Sequence, residues 1–139
     1  MAVMAVRMLW EGDDTLAREV LARFKGRGDP AEFLGDPRVL LFVAEERDGI
    51  VGWAYGYELI RPEGRRAMLL YEVEVATDAR GRGHGRALVE AMLAEARRRG
   101  HFEMWVLAEP GDDPAEALYR STGGDCVGQT MWTWELRPE

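Results

Sequence analysis

The stretch DARGRGHGRALVEAML, residues 78–93, joins a loop of glycines and arginines to the start of an apolar repeat. Apolar residues recur at the spacing of one helix face from Leu88 to Ala96, and RRRG at 97–100 supplies a cationic last turn and a glycine stop. The pattern predicts a helix over 84–99. Because the first N–H groups of a helix have no partner within it and the helix dipole is positive there, this junction is typical of a phosphate site.

Three known phosphate-binding loops can be compared with this stretch. A Walker loop ends in Gly-Lys-Ser/Thr, whereas this loop continues as HGRAL. A dinucleotide fingerprint requires a third glycine at a position that Arg86 occupies here. The pattern that remains is Arg-x-x-Gly-x-Gly, formed by Arg80, Gly83 and Gly85 a few residues after a strand. Basic glycine loops also occur as solvated turns, so the loop alone leaves both interpretations open.

The composition favours one folded domain over residues 1–139. The formal charge of −7 disfavours a nucleic-acid binder and favours small cationic partners. The sequence shows neither an apolar run that would cross a bilayer nor an export leader, so we expect a cytoplasmic protein. Cys126, His84 and His101 do not have the spacing of metal ligands, so no metal is expected and Cys126 is expected to be a buried thiol.

Strand and helix patterns alternate along the rest of the chain. They predict a single α/β domain in which helices flank a mixed, mostly antiparallel sheet of six to seven strands. The hairpin between the second and third strands is expected to turn at Asp48 and Gly49. Strands are predicted at 3–9, 38–46, 50–60, 67–75, 101–107 and 130–136, and helices at 13–24, 84–99 and 114–122.

The last predicted helix carries its own start and stop signals. Asp113 is placed as the N-cap, Pro114 as the first helical residue and Glu116 as the capping-box acid. Gly123 or Gly124 closes the helix.

The fourth predicted strand places two carboxylates on one face. Strict alternation puts Leu69, Tyr71, Val73 and Val75 on one face, and Met68, Leu70, Glu72 and Glu74 on the other. Neighbouring carboxylates attract an ammonium group and are suited to take its proton. The alternative is that both glutamates simply face solvent. Because Met68 and Leu70 share the predicted face, we favour a functional role.

Two elements together resemble the GNAT family of N-acetyltransferases. The first is the loop RGRGHG at 80–85, and the second is DDPAEALYRSTGG at 112–124, a helix with an Ala-x-x-Leu-Tyr core that ends at glycine. The resemblance covers residues 51–139. Within the family the pattern is most similar to the aminoglycoside 3-N-acetyltransferases, in which Gly-Asp-Asp-Pro-Ala precedes Ala-Leu-Tyr.

The resemblance implies that acetyl-CoA is the acetyl donor and that main-chain groups bind it. Backbone groups of Val73 and Val75 would hold the donor along the strand. The loop would surround the pyrophosphate through Arg80, Gly81, Arg82, Gly83, His84, Gly85 and Arg86. The side chain of His84 is expected to be solvated or beside the phosphate rather than to act as a base.

The resemblance also implies roles at the reacting centre. Tyr119 is the candidate acid that protonates the CoA thiolate, and its alternative is a core aromatic residue. Glu72 is the first candidate for the base and Glu74 the second, with water alone as the remaining possibility. The acidic segment AEPGDDPAE suggests a cationic acceptor, so the candidate acceptor-binding residues are Glu72, Glu109, Asp112 and Asp113.

The sequence departs from the family pattern in two places. Ser121 to Gly124 replace the usual Lys-Leu-Gly-Phe-like helix end, and Glu74 stands where the aminoglycoside group tends to have a small residue. The acceptor therefore stays open between an aminoglycoside, another polyamine-like metabolite, an amino acid and a protein N-terminus. A non-catalytic acyl-CoA sensor and a nucleotide-binding or interaction domain are the competing functions, and a homodimer is consistent with the family.

Overall fold

The computed structural model describes residues 5–128 and 130–136. The chain divides into two compact units, Met1–Val106 and Leu107–Glu139. The expectation of one domain over the whole chain stays a prediction.

The first unit is built on a five-stranded sheet with the strand order β1-β2-β3-β4-β5. The first four strands pair antiparallel, and β5 pairs parallel with β4. The strands are β1 (Ala5–Leu9), β2 (Val39–Glu46), β3 (Gly49–Ile60), β4 (Arg66–Val75) and β5 (Met104–Val106). The helices of this unit are α1 (Asp14–Phe24), α2 (Ala31–Leu34) and α3 (His84–Arg98), and a 3-10 turn covers Thr77–Ala79.

Helices α1 and α3 cover opposite faces of this sheet. Trp53 of β3 stacks on Phe24 of α1, with ring centroids 5.9 Å apart. Gly52, which precedes Trp53, faces α3, because a Cβ atom placed on it would lie 3.2 Å from a methyl group of Leu88. Successive residues of a strand point to opposite faces, so the two helices bury the two sides of one sheet.

A β-bulge at Tyr71 changes which residues of β4 share a face. Tyr55 pairs with Glu72 and Gly56 pairs with Leu70, so Tyr71 is the extra residue. A side chain at Gly56 would place its Cβ 2.4 Å from the carbonyl oxygen of Leu69, so only glycine fits opposite the bulge.

The bulge makes the predicted faces of β4 wrong. Strict alternation holds only where each residue of one strand pairs with one residue of the next. The extra residue in β4 therefore reverses which residues face each side of the sheet after Tyr71. Glu72 and Glu74 still share a face, but it is the face of α1. Met68, Leu70, Val73 and Val75 point toward α3.

The second unit holds the fourth helix, α4 (Asp113–Ser121). Its N-cap is Asp112, whose Oδ1 accepts a hydrogen bond from the Ala115 N–H at 3.2 Å. The prediction of Asp113 as the cap was one residue late, since two successive aspartates satisfy the same sequence signal. Gly123, with φ of +95°, ends the helix as predicted.

Several other expectations differ from the described residues. The strand predicted at 130–136 is absent: this segment pairs with no other strand of the described residues, and its residues Trp132 and Trp134 are exposed. Within the described residues the sheet therefore has five strands rather than six to seven.

The hairpin between β2 and β3 turns at Arg47 and Asp48 rather than at Asp48 and Gly49, because Glu46 already pairs with Gly49. Cys126 is exposed rather than buried. None of the helices in the described residues has the length and apolar character of a membrane span.

Candidate active site

The glycine loop between β4 and α3 has the geometry of an anion site. Gly81 and Gly83 have φ values of +79° and +86°, in the left-handed region that favours glycine. Gly83 is the N-cap of α3, and its carbonyl oxygen accepts the first helical hydrogen bond, from Ala87 N–H at 3.0 Å. The first turn of α3 therefore directs N–H groups without helical partners toward the loop.

The arginines of the loop contact the protein itself. Nε of Arg80 donates to the Val75 carbonyl at 3.2 Å, and the Arg82 guanidinium donates to Glu46 and to the Asp78 carbonyl. These contacts brace the loop against β2 and the end of β4. Phosphate binding by the arginine side chains stays a prediction, and the loop geometry supports the backbone as the main anion binder.

Arg86 is paired within its own helix. Its Nε donates to Oε1 of Glu90 at 2.8 Å, one turn further along α3.

His84 is a buried brace of the loop, so the expectation of a solvated side chain is wrong. The residue is 2% exposed, and Nε2 lies 2.6 Å from Oε2 of Glu46. Hydrogen bonds from His84 and Arg82 hold the pKa of the Glu46 carboxyl below its ordinary value, against a smaller opposing effect of burial. The sequence placed His84 in the loop, but Glu46 is 38 residues away and had no local signal.

The edge of β4 that faces β5 is paired along only part of its length. β5 pairs only with Met68–Leu70, so it makes no ladder with the main chain of Tyr71–Val75. Unpaired peptide groups at a strand edge are suited to bind an extended chain that carries amides. Val73 and Val75, the predicted donor contacts, lie in this open segment.

Glu72 is the most connected carboxylate on the α1 face of the sheet. Its Oε1 accepts a hydrogen bond from the Tyr55 hydroxyl at 3.0 Å and another from Nζ of Lys25 at 2.9 Å. Burial and the Glu72 carboxylate raise the pKa of Tyr55, so its hydroxyl stays a proton donor to Glu72. Glu74 lies on the same face opposite Trp53, two residues along the strand.

Aromatic rings surround the Glu72 carboxylate. Trp53 and Tyr55 have centroids 4.8 Å apart, and Tyr55 stacks on Tyr71 at 5.6 Å. Tyr57 completes this group, which we call the aromatic cluster: Trp53, Tyr55, Tyr57 and Tyr71. The sequence analysis missed it, although alternation in WAYGY placed three of its members on one face.

An open groove of about 490 Å³ lies on the same face of the sheet. Its lining includes Tyr57 and Tyr71 of the aromatic cluster together with Leu59 and Leu69. The groove thus begins where the rings next to Glu72 end, and its apolar walls are joined by the charged residues Asp36, Arg38 and Glu58.

The predicted residues of the second unit can be placed within that unit. Tyr119 is half-buried on α4, and burial together with the Asp112 carboxylate raises its pKa, so the phenol keeps its proton at neutral pH. Asp112 uses its carboxylate to cap α4, while Glu109 and Asp113 are exposed. The roles of these four residues stay predictions.

Metal ligands are not gathered anywhere in the described part of the chain. Residues 5–128 and 130–136 contain no group of three or more His, Cys, Asp or Glu side chains placed to hold an ion.

Comparison with known proteins identifies the family. The pattern described as the acetyltransferase (GNAT) family matches residues 7–123. The chain belongs to the GNAT family. GNAT enzymes use acetyl-CoA as the acetyl donor, and the open edge of β4 and the glycine loop fit the amide-bearing arm and the pyrophosphate of that molecule.

The GNAT relatives of known sequence are acetyltransferases of several kinds. The mycothiol acetyltransferase of Thermobispora bispora is 32% identical over 78% of this chain and 33% of that protein. The L-methionine sulfoximine/L-methionine sulfone acetyltransferase of Pseudomonas aeruginosa is 34% identical over 64% of this chain and 52% of that protein. The chain thus spans from a third to about half of the length of these relatives.

Solved GNAT structures match the chain over nearly its whole length. An aminoglycoside acetyltransferase from an uncultured soil metagenomic sample has a TM-score of 0.83 and 25% identity, and the match covers 99% of both chains. Another, solved in complex with sisomicin, has a TM-score of 0.81 and 24% identity over 97% of both chains. The GNAT fold is therefore shared.

Proposed function

We propose that the protein transfers the acetyl group of acetyl-CoA to a primary amine of a small cationic acceptor. The observation that carries the proposal is the environment of Glu72, whose carboxylate already holds the ammonium group of Lys25 at 2.9 Å beside aromatic rings. A carboxylate combined with aromatic faces is the chemistry that recognises an ammonium ion. The open edge of β4 begins one residue away, at Tyr71.

Glu72 is the proposed base. An amine is mostly protonated at neutral pH, so a nearby group must remove a proton before the nitrogen attacks the acetyl carbon. The Tyr55 hydroxyl donates to Glu72 and so fixes the orientation of the carboxylate. Glu74 is the second candidate, because it shares the face of Glu72 but lies opposite Trp53 rather than Tyr55.

Tyr119 is the proposed acid for the departing thiolate. The GNAT resemblance assigns this role to the tyrosine of the Ala-x-x-Leu-Tyr helix, and the raised pKa of Tyr119 supports it, because an acid must hold its proton until the C–S bond breaks.

Aminoglycosides are the acceptor class to test first, and their 3-amino group is the specific position that the sequence pattern suggests. The support is the motif around α4 and the similarity to aminoglycoside acetyltransferase structures. The relative named for methionine sulfoximine makes an amino acid the second class. Another polyamine-like metabolite and a protein N-terminus are the remaining acceptor classes, and a non-catalytic acyl-CoA sensor and a nucleotide-binding or interaction domain are the competing functions. The cytoplasmic location and the homodimer remain part of the proposal.

Thiol release from acetyl-CoA tests the proposal. A screen over aminoglycosides, polyamines, amino acids and peptides is expected to find turnover with a cationic amine. With that acceptor, Glu72→Gln and Tyr119→Phe should each lower kcat by about 10²-fold or more while CoA affinity by calorimetry stays unchanged. Glu63→Gln, in the exposed turn between β3 and β4, is the matched control. Wild-type rates in both variants would remove the assigned roles, and binding of CoA without any thiol release would favour the sensor.

A further inference from the structure

The chain contains one lysine, Lys25, among its 18 lysine and arginine residues. A surface ion pair requires only a positively charged side chain, which either lysine or arginine provides. All the remaining residues of these two types in the chain are arginines. Lysine differs from arginine because its amine can lose a proton and become a nucleophile, whereas a guanidinium stays charged. The position of the single lysine is therefore chemically informative.

Lys25 lies at the group proposed to activate amines. It follows Phe24, the last residue of α1, whose ring stacks on Trp53 and fixes the end of the helix on the sheet. Nζ of Lys25 is 2.9 Å from Oε1 of Glu72 and 5.8 Å from the ring centroid of Trp53. The Lys25 side chain is 44% exposed, so its Nζ is accessible from solvent. The amine of Lys25 thus lies beside the same carboxylate and aromatic ring that are proposed to bind the amine of an acceptor.

We propose that Lys25 is a site of self-acetylation, in which the enzyme transfers acetyl from acetyl-CoA to its own Nζ when no acceptor is bound. The inference rests on the proposed function, since it uses Glu72 as the base. Glu72 takes a proton from the Lys25 ammonium, and the neutral nitrogen forms a bond to the acetyl carbon. The C–S bond breaks, the second proton of the nitrogen goes to the CoA thiolate, and the products are an amide at Lys25 and free CoA thiol.

The reaction has a built-in electrostatic consequence. An acetylated Lys25 carries no charge and no longer pairs with Glu72, so the carboxylate loses its internal ammonium partner. The step is limited to one turnover per chain, which distinguishes it from catalysis on an added acceptor.

The single lysine allows a direct measurement. The full chain is incubated with acetyl-CoA and no acceptor, and intact-mass spectrometry with peptide mapping locates the label. We expect one acetyl group on Lys25, at a rate per chain that does not change with protein concentration. Glu72→Gln should slow the labelling by about a hundredfold. The matched control is the K25R/R97K double variant, which moves the only lysine to the exposed last turn of α3 and should label only at the slow rate of unassisted chemistry.

Several results would overturn self-acetylation. They are an unlabelled Lys25, labelling no faster than in the double variant, or a rate proportional to protein concentration, which would mean transfer between molecules. Thiol release with the screened amines, measured on the same preparation, separates the two proposals. Turnover with an added amine and no label on Lys25 would refute only self-acetylation, whereas the absence of both would refute the proposed function as well.

Discussion

Gly83 is the residue on which the start of α3 depends. Its φ of +86° allows its carbonyl to accept the first helical hydrogen bond while the chain enters from the loop. A side chain in this conformation is strained, although no other atom lies within 4 Å of the Cβ position.

A pair of alanine substitutions separates this strain from anion binding. Gly64, in the turn between β3 and β4, has a φ of +87° and the same open surroundings as Gly83. Gly83→Ala and Gly64→Ala should each lower the free energy of unfolding by about 1–2 kcal/mol in urea. Only Gly83→Ala should weaken CoA binding in calorimetry, by about tenfold, because only that backbone orients the loop N–H groups. Equal CoA affinities in the two variants would contradict the anion site.

At the scale of elements, a partly buried ionic network joins the ends of β3, β4 and α3. Glu58 of β3 accepts from Arg66 of β4 and from Nε2 of His101 at 2.7 Å, and Arg99 lies 3.6 Å away just after α3. Burial opposes the charge on Glu58, but the hydrogen bonds from His101 and Arg66 prevail and lower the pKa of its carboxyl below 4.5. The network holds the end of the sheet remote from the glycine loop.

Glu58→Gln should therefore destabilise the protein by about 2 kcal/mol at pH 7, below the range for a fully buried ion pair because Arg66 is partly exposed to solvent. A carboxyl whose folded pKa is lowered stabilises the fold above its unfolded pKa and loses that contribution as the pH falls through the folded pKa. The difference between wild type and variant in urea unfolding should thus shrink below pH 4.5. Glu90→Gln, which breaks an exposed pair with Arg86, should cost about 0.5 kcal/mol or less. A constant difference from pH 7 to pH 3 would show that the charge of Glu58 is not the cause.

At the scale of the whole molecule, the net charge of −7 should affect the binding of the two proposed substrates in opposite directions. A cationic acceptor is attracted and the anionic CoA is repelled, and salt screens both effects over about 10 Å at 0.1 M.

Salt should therefore weaken the binding of the acceptor but not that of the donor. Between about 0.05 and 0.5 M NaCl, the KM of a multiply charged amine should rise about threefold or more, whereas CoA affinity should rise or stay constant. A monoamine of similar size is the control and should respond less. Equal salt responses of the two amines would contradict a role of the acidic chain in acceptor binding.

The sequence by itself determined most of the helices and strands and indicated the donor loop. Periodicity and capping residues predicted α3, α4 and the hairpins, since these signals act within one turn or strand, and Arg80, Gly83 and Gly85 together with the Ala-x-x-Leu-Tyr helix indicated the GNAT family. Only the tertiary structure decided the bulge at Tyr71, because its cause is the ladder with β3. Tertiary contacts also decided the partners of the site: Lys25 and Glu72 are 47 residues apart, and His84 and Glu46 are 38 apart. Side chains so distant along the chain meet only when packing of the helices on the sheet brings them together, so no local pattern encodes the pairs.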